Sequence, residues 1–121
     1  MKIHNLTIYC NDVEESVKFY TSLFSFNLIN RFQPKADVKL ANIEKDGLKI
    51  ELLERVGAPK VVFSDFTTTV GFAAENIENE YERLKTKQIM FKSPLRNIGP
   101  KTKIFEVYDP NGYPLYIIQE D

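Results

Sequence analysis

The first residues of the chain alternate between polar and apolar positions in a way that predicts a β-strand. Over residues 3–10 the two faces of this strand carry Ile3, Asn5, Thr7 and Tyr9 on one side and His4, Leu6, Ile8 and Cys10 on the other. Asp12 follows as a favourable helix N-cap. Apolar residues then recur at helical spacing at Val13, Val17, Tyr20 and Phe24, which predicts a helix of about three turns.

The rest of the first half contains three further strand patterns. They cover residues 26–32, 38–43 and 48–53, with a turn over residues 34–37 and a hairpin signal at Asp46-Gly47. Residues 55–65 contain Gly57, Pro59 and Ser64 and show little periodicity. We therefore interpret this stretch as a linker.

The same order of patterns returns after the linker. Residues 67–74 alternate as a strand, Asn76 is a possible N-cap, and Ile77, Tyr81 and Leu84 follow at helical spacing. Residues 93–102 contain two prolines and a glycine, which predicts a loop. Residues 103–108 and 113–119 read as strands around a turn over residues 109–112.

The two halves resemble each other. Shifted by 64 residues, Asp12 falls on Asn76, and shifted by 65 residues, Asp46-Gly47 falls on Asn111-Gly112. Strand, cap, helix and hairpin recur in the same order, so we favour a duplication over chance similarity. The sequence therefore predicts an α+β fold of two tandem βαβββ modules within a single domain over residues 1–121. Module one is expected over residues 1–55, a linker over 56–66 and module two over 67–121.

Composition narrows the function classes. Sixteen basic and seventeen acidic residues give a net charge of -1, which lacks the positive field of a general nucleic-acid binder. One cysteine excludes an intramolecular disulfide, and one histidine excludes a site of several histidines within one chain. No apolar run approaches the roughly 20 residues of a membrane helix, and the first residues lack a signal-peptide pattern. We expect a soluble, cytoplasmic protein that binds neither nucleic acid nor membrane.

Two motifs carry a resemblance to a known family. The first is the opening Ile3-His4-Asn5 with Asp12 and the helical segment Ser16-Val17-Lys18-Phe19-Tyr20; the second is the strand and turn over residues 105–112, Phe-Glu-Val-Tyr-Asp-Pro-Asn-Gly. Together with the duplicated βαβββ unit, they make the chain resemble the vicinal oxygen chelate superfamily. This superfamily includes glyoxalase I, bleomycin-resistance proteins and extradiol dioxygenases.

The resemblance implies an architecture and an assembly. In this superfamily two modules pair their sheets into an incomplete, cup-like β-barrel with the helices outside, and the modules often pair across a dimer. A four-stranded sheet with one helix buries one face and leaves the other in need of cover. We therefore expect a homodimer that holds a small organic ligand in its cup.

The resemblance also implies four positions where metal-dependent members carry histidines and glutamates. Counted from the turns of this chain, these positions fall on Asn5, Glu51, Thr69 and Tyr116. Transition metals prefer imidazole, thiolate or carboxylate ligands, and this set offers one carboxylate. A slip of one residue would restore His4 but would turn Leu6 and Ile8 into the cup, so the sequence predicts no metal and no other cofactor.

A few further residues are candidates for ligand contacts. Glu51 alternates with apolar neighbours, so it is either a cup carboxylate or an exposed strand residue. Tyr9 and Tyr116 lie on the expected cup face and could stack on a planar ligand. Arg96, in the expected loop, either holds an anionic group or lies in solvent. The complete set of candidate ligand-binding residues is Asn5, Tyr9, Glu51, Thr69, Arg96 and Tyr116.

These expectations leave three functions open. The leading hypothesis is a metal-free small-molecule-binding protein of the kind typified by bleomycin-resistance proteins. The alternative is a lactoylglutathione-lyase-like isomerase or lyase with Glu51 as general base. The third possibility is an interaction domain with a filled, inert cup. The sequence leaves it undecided whether the protein is an enzyme.

Overall fold

The computed structural model of the chain describes residues 1–120, and its elements follow the predicted order twice. One βαβββ unit is followed by a second, and each unit forms its own four-stranded sheet with one helix. The predicted α+β fold of two βαβββ modules is therefore confirmed.

Module one forms a mixed sheet. Its elements are β1 (Leu6–Cys10), α1 (Val13–Leu23), β2 (Asn27–Lys35), β3 (Val38–Lys45) and β4 (Leu48–Arg55). The strand order is β1-β4-β3-β2, with β1 parallel to β4 and the other pairs antiparallel. The parallel pair needs a crossover between β1 and the hairpins, and α1 is the helical part of that crossover.

Module two repeats this topology. Its elements are β5 (Val70–Ala73), α2 (Ile77–Lys85), β6 (Met90–Asn97), β7 (Thr102–Tyr108) and β8 (Pro114–Glu120). The strand order is β5-β8-β7-β6, again with one parallel pair, β5 with β8. Each strand therefore has a counterpart in module one.

The boundary between the two compact units lies between residues 62 and 63, inside the predicted linker. On the first side, the backbone amide of Val61 donates to Oδ1 of Asn11 at 2.7 Å. On the second side, the ring of Phe63 lies edge-on to Tyr113, with 5.1 Å between centroids. These two linker residues thus contact the module on their own side of the boundary.

Both helices begin at the predicted N-caps. The Asp12 carboxylate accepts from the amides of Glu14 and Glu15, and the Asn76 side chain accepts from the amide of Asn79. A second acceptor reaches each helix from the last strand of its own sheet. These are Oε1 of Glu54 at the Val13 amide, 2.9 Å, and Oε1 of Gln119 at the Ile77 amide, 2.7 Å. Orphan amides at each helix start are thereby satisfied.

The core of module one lies between α1 and one face of its sheet. The buried helix residues are Val13, Ser16, Val17 and Tyr20, and the buried strand residues are Ile8, Cys10, Ala41, Ile43, Ile50 and Leu52. On each strand they alternate with residues of the opposite face, as the period of a β-strand requires. Cys10 faces this core, as its place in the alternation predicted.

The core of module two uses different side chains in the same layout. Its buried residues are Ile77 and Leu84 on the helix and Phe105, Val107, Leu115 and Ile117 on the strands. The ring of Phe105 packs edge-on against Tyr81, with 5.0 Å between centroids, and lies 5.9 Å from Phe91. Contacts between aromatic rings therefore connect α2 to the sheet of module two.

One predicted loop is wrong in part. Residues 93–97 belong to β6, so Arg96 lies on a strand and not in a loop. Pro94 is compatible with this strand because β6 is at the edge of the sheet and its register shifts on both sides of Ser93. Across residues 1–120, neither helix is long and apolar enough to cross a membrane.

Candidate functional site

The face of each sheet that is turned away from the module's own helix carries most of the candidate residues. We call it the far face. In module one, the register places four polar residues side by side across the far face, one from each strand: Asn30, Asn42, Glu51 and Thr7. Nδ2 of Asn42 donates to Oδ1 of Asn30 at 2.8 Å, and the Thr7 hydroxyl donates to Oε1 of Glu51 at 3.2 Å. The predicted carboxylate thus lies within a polar row.

A chain of hydrogen bonds extends this row to the start of the module. Nδ2 of Asn5 donates to Oγ1 of Thr7 at 3.0 Å, which links Asn5 to Glu51. Nδ1 of His4 lies 2.5 Å from Oδ1 of Asn5, and Nε2 lies 3.5 Å from Nζ of Lys49. An ammonium can only donate, so Nε2 accepts and Nδ1 carries the proton. Every donor in this series of hydrogen bonds therefore points toward Glu51.

This contact differs from the expectation for His4. Strict alternation would turn its side chain to the helix side, together with Leu6. In the structure β1 begins at Leu6, so His4 precedes the strand and the alternation does not apply to it. Its exposed ring instead contacts Asn5 and Lys49.

An apolar row runs beside the polar row on the same far face. Its members, again one from each strand, are Tyr9, Leu53, Leu40 and Phe32. Tyr9 and Phe32, at the two ends, are 45% and 59% exposed. The far face of module one therefore offers hydrogen-bonding groups and accessible aromatic surface next to each other.

The far face of module two has a different composition at the equivalent positions. Its central row consists of Gly71, Tyr116, Glu106 and Ser93. A Cβ atom added to Gly71 would lie 2.2 Å from Cζ of Tyr116, so the tyrosine ring lies directly over the glycine backbone. Only glycine leaves room for the ring in that position.

Glu106 is the centre of a charged group that we call the Glu106 cluster, comprising Lys92, Ser93, Arg96 and Glu106. Oε1 of Glu106 accepts from Ser93 at 3.0 Å and from Nη2 of Arg96 at 3.1 Å. Nζ of Lys92 lies 3.8 Å from Oε2. Partial burial by itself raises the pKa of Glu106, but these hydrogen bonds and the two positive charges outweigh it and hold the pKa below its ordinary value.

Thr69 lies just before β5, and its hydroxyl is already engaged. Oγ1 donates to the backbone oxygen of Pro114 at 2.6 Å. The neighbouring Thr68 shares a hydrogen bond of 3.0 Å with the Tyr113 hydroxyl. The Thr69 oxygen can therefore offer a ligand only its lone pairs.

The four residues predicted at the metal-ligand positions do not, by their chemistry, fit a transition metal. Module one contributes Asn5 and Glu51, and the Asn5 oxygen already accepts from His4. Module two contributes a threonine hydroxyl and the phenol of Tyr116. These neutral oxygens bind divalent transition metals weakly, and one carboxylate does not replace imidazole or thiolate ligands. Among the described residues of either module, no three His, Cys, Asp or Glu side chains are grouped around a point where a metal could bind.

The partners of the candidate residues did not follow from the sequence. Thr7 was placed on the correct face but given no role, and Lys92, Ser93 and Glu106 were not selected. Glu106 and Ile104 alternate on the far face with the buried Phe105 and Val107, so strand parity could have identified Glu106. Lys92 lies within a register shift and Ser93 borders it, and the sequence pattern does not reveal this shift.

Comparisons with known proteins agree with this architecture. A model of the Glyoxalase/Bleomycin resistance protein/Dioxygenase superfamily matches residues 2–117. No curated protein sequence matches the chain. Among solved structures, the trypanothione-dependent glyoxalase I of Leishmania major is similar with a TM-score of 0.82 at 15% identity, covering 99% of this chain and 87% of that one.

Two further solved structures show the same likeness. A glyoxylase/bleomycin resistance protein/dioxygenase domain from Frankia sp. EAN1pec has a TM-score of 0.79 at 19% identity and covers 100% of this chain and 98% of that one. The fosfomycin resistance protein FosX from Listeria monocytogenes has a TM-score of 0.77 at 15% identity, covering 100% and 94%. At these identities the likeness establishes the fold.

Proposed function

The chain belongs to the Glyoxalase/Bleomycin resistance protein/Dioxygenase superfamily, and we propose that it acts as a metal-free binding protein for a small organic molecule. The observation that carries this proposal is the far face of module one. There the half-buried carboxylate of Glu51 lies in a polar row beside a row that ends in the exposed rings of Tyr9 and Phe32. Such a surface suits a ligand with an aromatic body and a polar group.

The negative charge of Glu51 in the polar row indicates which polar group the ligand carries. Thr7 donates to Oε1 of Glu51, which leaves Oε2 of the same carboxylate free of hydrogen bonds from residues 1–120. An ionised carboxylate is an acceptor only, so its natural partner is a cation or a hydroxyl group. We therefore propose a ligand with a cationic or hydroxylated group near a planar ring, contacted by Asn5, Glu51 and Tyr9.

The remaining candidate residues are assigned to module two. Tyr116 presents its ring over Gly71, Thr69 offers an oxygen lone pair, and Arg96 offers a positive charge. Under this proposal they contact a ligand at the far face of the second sheet. Their contributions are testable one by one, because no two of them share a hydrogen bond.

The donor chemistry supports a binding protein over a metal-dependent lyase. Glyoxalase-type chemistry requires a metal to stabilise an enediolate and a carboxylate base. Glu51 could serve as the base, but the other three positions do not supply metal ligands. Calorimetric titration of the purified protein with Zn²⁺ should show no tight binding, and stoichiometric tight binding would contradict the proposal.

A cationic planar dye tests the proposed site on module one. We expect berberine to bind with a rise in its fluorescence. Glu51→Gln should weaken binding by about tenfold, because a charge-assisted contact in a half-buried site is lost. The control is Glu15→Gln, which removes an exposed glutamate of α1 and should leave affinity unchanged. Absence of saturable binding, or equal affinity of both variants, would overturn the proposal.

The alternative function is an isomerase or lyase with Glu51 as general base. It is favoured by one feature, the Thr7 hydroxyl that orients the carboxylate from 3.2 Å. The test substrate is the hemithioacetal of methylglyoxal and glutathione, with and without added Ni²⁺. Turnover by the wild type that is lost in Glu51→Gln would establish the enzyme and replace the binding proposal. We expect no turnover above the uncatalysed rate.

We also propose that two copies of the chain associate. The support is the apolar surface on strands at the far face, where Phe32 is 59% exposed, together with the dimers common in the superfamily. Static light scattering at micromolar concentration measures the mass directly. The dimer mass is expected, and a monomer across the whole concentration range would contradict it.

A further inference from the structure

We infer that the Glu106 cluster of module two is a second binding site, one that takes the oxyanion of a small molecule, a carboxylate or a phosphate. This extends the proposed function, which named Thr69, Arg96 and Tyr116 on this face, because it assigns a ligand chemistry to the face. Three features support this site: the balance of charge, the unused hydrogen-bond donors, and the strand geometry that holds these donors.

The cluster has an excess of positive charge. It contains the two cations Lys92 and Arg96 and a single carboxylate. The residues that the register places beside Glu106 and Arg96 on the far face are Tyr116 and Ile104, and neither carries a charge at neutral pH. Within residues 1–120 the ion pairs of both cations go to this one carboxylate, and the excess of positive charge favours an anion at this position.

Both cations keep donors available. Arg96 uses Nη1 for Ser93 and the Pro94 backbone oxygen and Nη2 for Glu106, but within residues 1–120 its Nε–H makes no hydrogen bond. Among the same residues, Nζ of Lys92 has one polar contact, the 3.8 Å ion pair to Glu106, which is too long for a hydrogen bond. An incoming oxyanion can thus accept from both without displacing the existing network.

Glu106 offsets part of the positive charge and also holds Arg96 in place. Oε1 accepts from both Ser93 and Arg96, so the guanidinium is fixed before a ligand arrives. Fixing a long side chain in advance lowers the entropy cost of binding. The side chains remain reachable, since those of Lys92 and Arg96 are 27% and 41% exposed.

The irregular edge strand explains why these side chains meet. In a regular strand Lys92 and Ser93 would point to opposite faces. The register of β6 shifts between Phe91 and Ser93 and again between Ser93 and Arg96. Both Lys92 and Ser93 therefore reach the same carboxylate, and bulges of this kind commonly redirect side chains at binding sites.

The test uses the full chain and three probes that share one ring. Benzoate and phenyl phosphate carry the two candidate oxyanions, and benzyl alcohol is the neutral control. Titrations are followed by amide chemical shifts. Both anions should bind saturably and shift amides of β6 and β7, whereas the alcohol should not. The anion that binds more tightly shows whether the site prefers a carboxylate or a phosphate.

Two variants with opposite expected effects make the test decisive. Lys92→Gln should weaken anion binding about fivefold, and the control Lys101→Gln, in the exposed loop after β6, should not change it. Glu106→Gln keeps an acceptor for Ser93 and Arg96 but removes the negative charge. It should therefore tighten anion binding severalfold, a direction that loss of structure cannot produce.

Clear outcomes would overturn the inference. They are the absence of saturable anion binding by the wild type, equal weakening by Lys92→Gln and Lys101→Gln, or weaker anion binding by Glu106→Gln. None of these outcomes bears on the berberine experiment, which probes Glu51 on the first sheet. Failure of this inference and failure of the proposed function are therefore distinguishable.

Discussion

The two modules share one topology but place their largest core side chains on opposite layers. In module one the helix contributes Tyr20 and the facing strand contributes Ala41; in module two the equivalent positions are Leu84 and Phe105. All four are fully buried. A large helix residue accompanies a small strand residue in one module and the reverse holds in the other. The comparison shows that the fold constrains the packed volume of the two layers together, while the layer that supplies the bulk is free to change.

The far faces diverge more than the cores. Module one has a directional chain of hydrogen bonds that ends on Glu51, whereas module two has ion pairs around Glu106. Glu51 is on the last strand of its module and Glu106 is on the strand before the last. The duplicated scaffold thus presents a carboxylate at two different points, with neutral partners in one module and cationic partners in the other.

The largest expected effect comes from the core comparison. Phe105→Ala should destabilise the protein by about 3–5 kcal/mol, because the cavity left in module two cannot be filled by Leu84. Urea unfolding followed by circular dichroism gives the free energy of unfolding. The reverse change, Ala41→Phe, should also destabilise, by about 1–3 kcal/mol, through overpacking against Tyr20. A neutral Ala41→Phe variant would show that the two layers do not share a fixed volume.

The two helix caps should differ in their contribution to stability, because they accept different numbers of hydrogen bonds. Asp12 accepts two amides and carries a charge near the helix N-terminus, whereas Asn76 accepts one and is neutral. Asp12→Ala should therefore cost about 1–2 kcal/mol and Asn76→Ala about 1 kcal/mol or less. Thermal unfolding of both variants provides the comparison. Equal losses of stability in the two variants would mean that the second acceptors, Glu54 and Gln119, offset the loss of the cap to different extents.

Gly71 and Thr7 occupy equivalent positions, and only Gly71 has a tyrosine ring over its backbone. Gly71→Ala should destabilise by about 1 kcal/mol, since the ring of Tyr116 must move. In a Tyr116→Ala background the same change should become neutral or stabilising, as it normally is in a strand. The readout is the free energy of unfolding of the four proteins in the double-mutant cycle. A penalty that persists without the ring would contradict the contact.

The smallest effect concerns pH and the Glu106 cluster. Because the pKa of Glu106 is lowered in the folded state, its ionised form stabilises the protein above the unfolded pKa. This stabilisation, about 1 kcal/mol or less for so accessible a group, is lost as pH falls through the folded pKa. Glu106→Gln should therefore flatten the acid limb of the stability profile. An unchanged acid limb would show that the ion pairs contribute nothing.

Much of the fold followed from residues that act locally. The alternation of residues 3–10, the caps Asp12 and Asn76 and the turns at Asp46-Gly47 and Asn111-Gly112 all depend on near neighbours in the chain. The predicted loop at residues 93–97 failed for a related reason. Proline usually interrupts strands, but an edge strand with shifted register accommodates it, and the edge position is a property of the whole sheet.

Only one property of the candidate site was predictable, namely the face on which a residue lies within its own strand. Alternation was enough to place Thr7 and Tyr9 on one face of β1, but it left Glu51 either in the cup or exposed, and the roles of the proposed ligand residues stay predictions. Pairing across strands decided the rest, because it joins residues distant in sequence such as Ser93 and Glu106. The contact of His4 with Lys49 likewise depends on where β1 begins.

The sequence by itself thus determined the order of elements, the duplication and the buried faces. These follow from periodicity, caps and side-chain chemistry, which operate over a few residues. The tertiary structure alone decided that Tyr116 lies over Gly71, that Thr7 orients Glu51 and that Lys92 and Arg96 meet at Glu106. Register between strands sets these contacts, and register arises from the packing of the entire sheet on its helix.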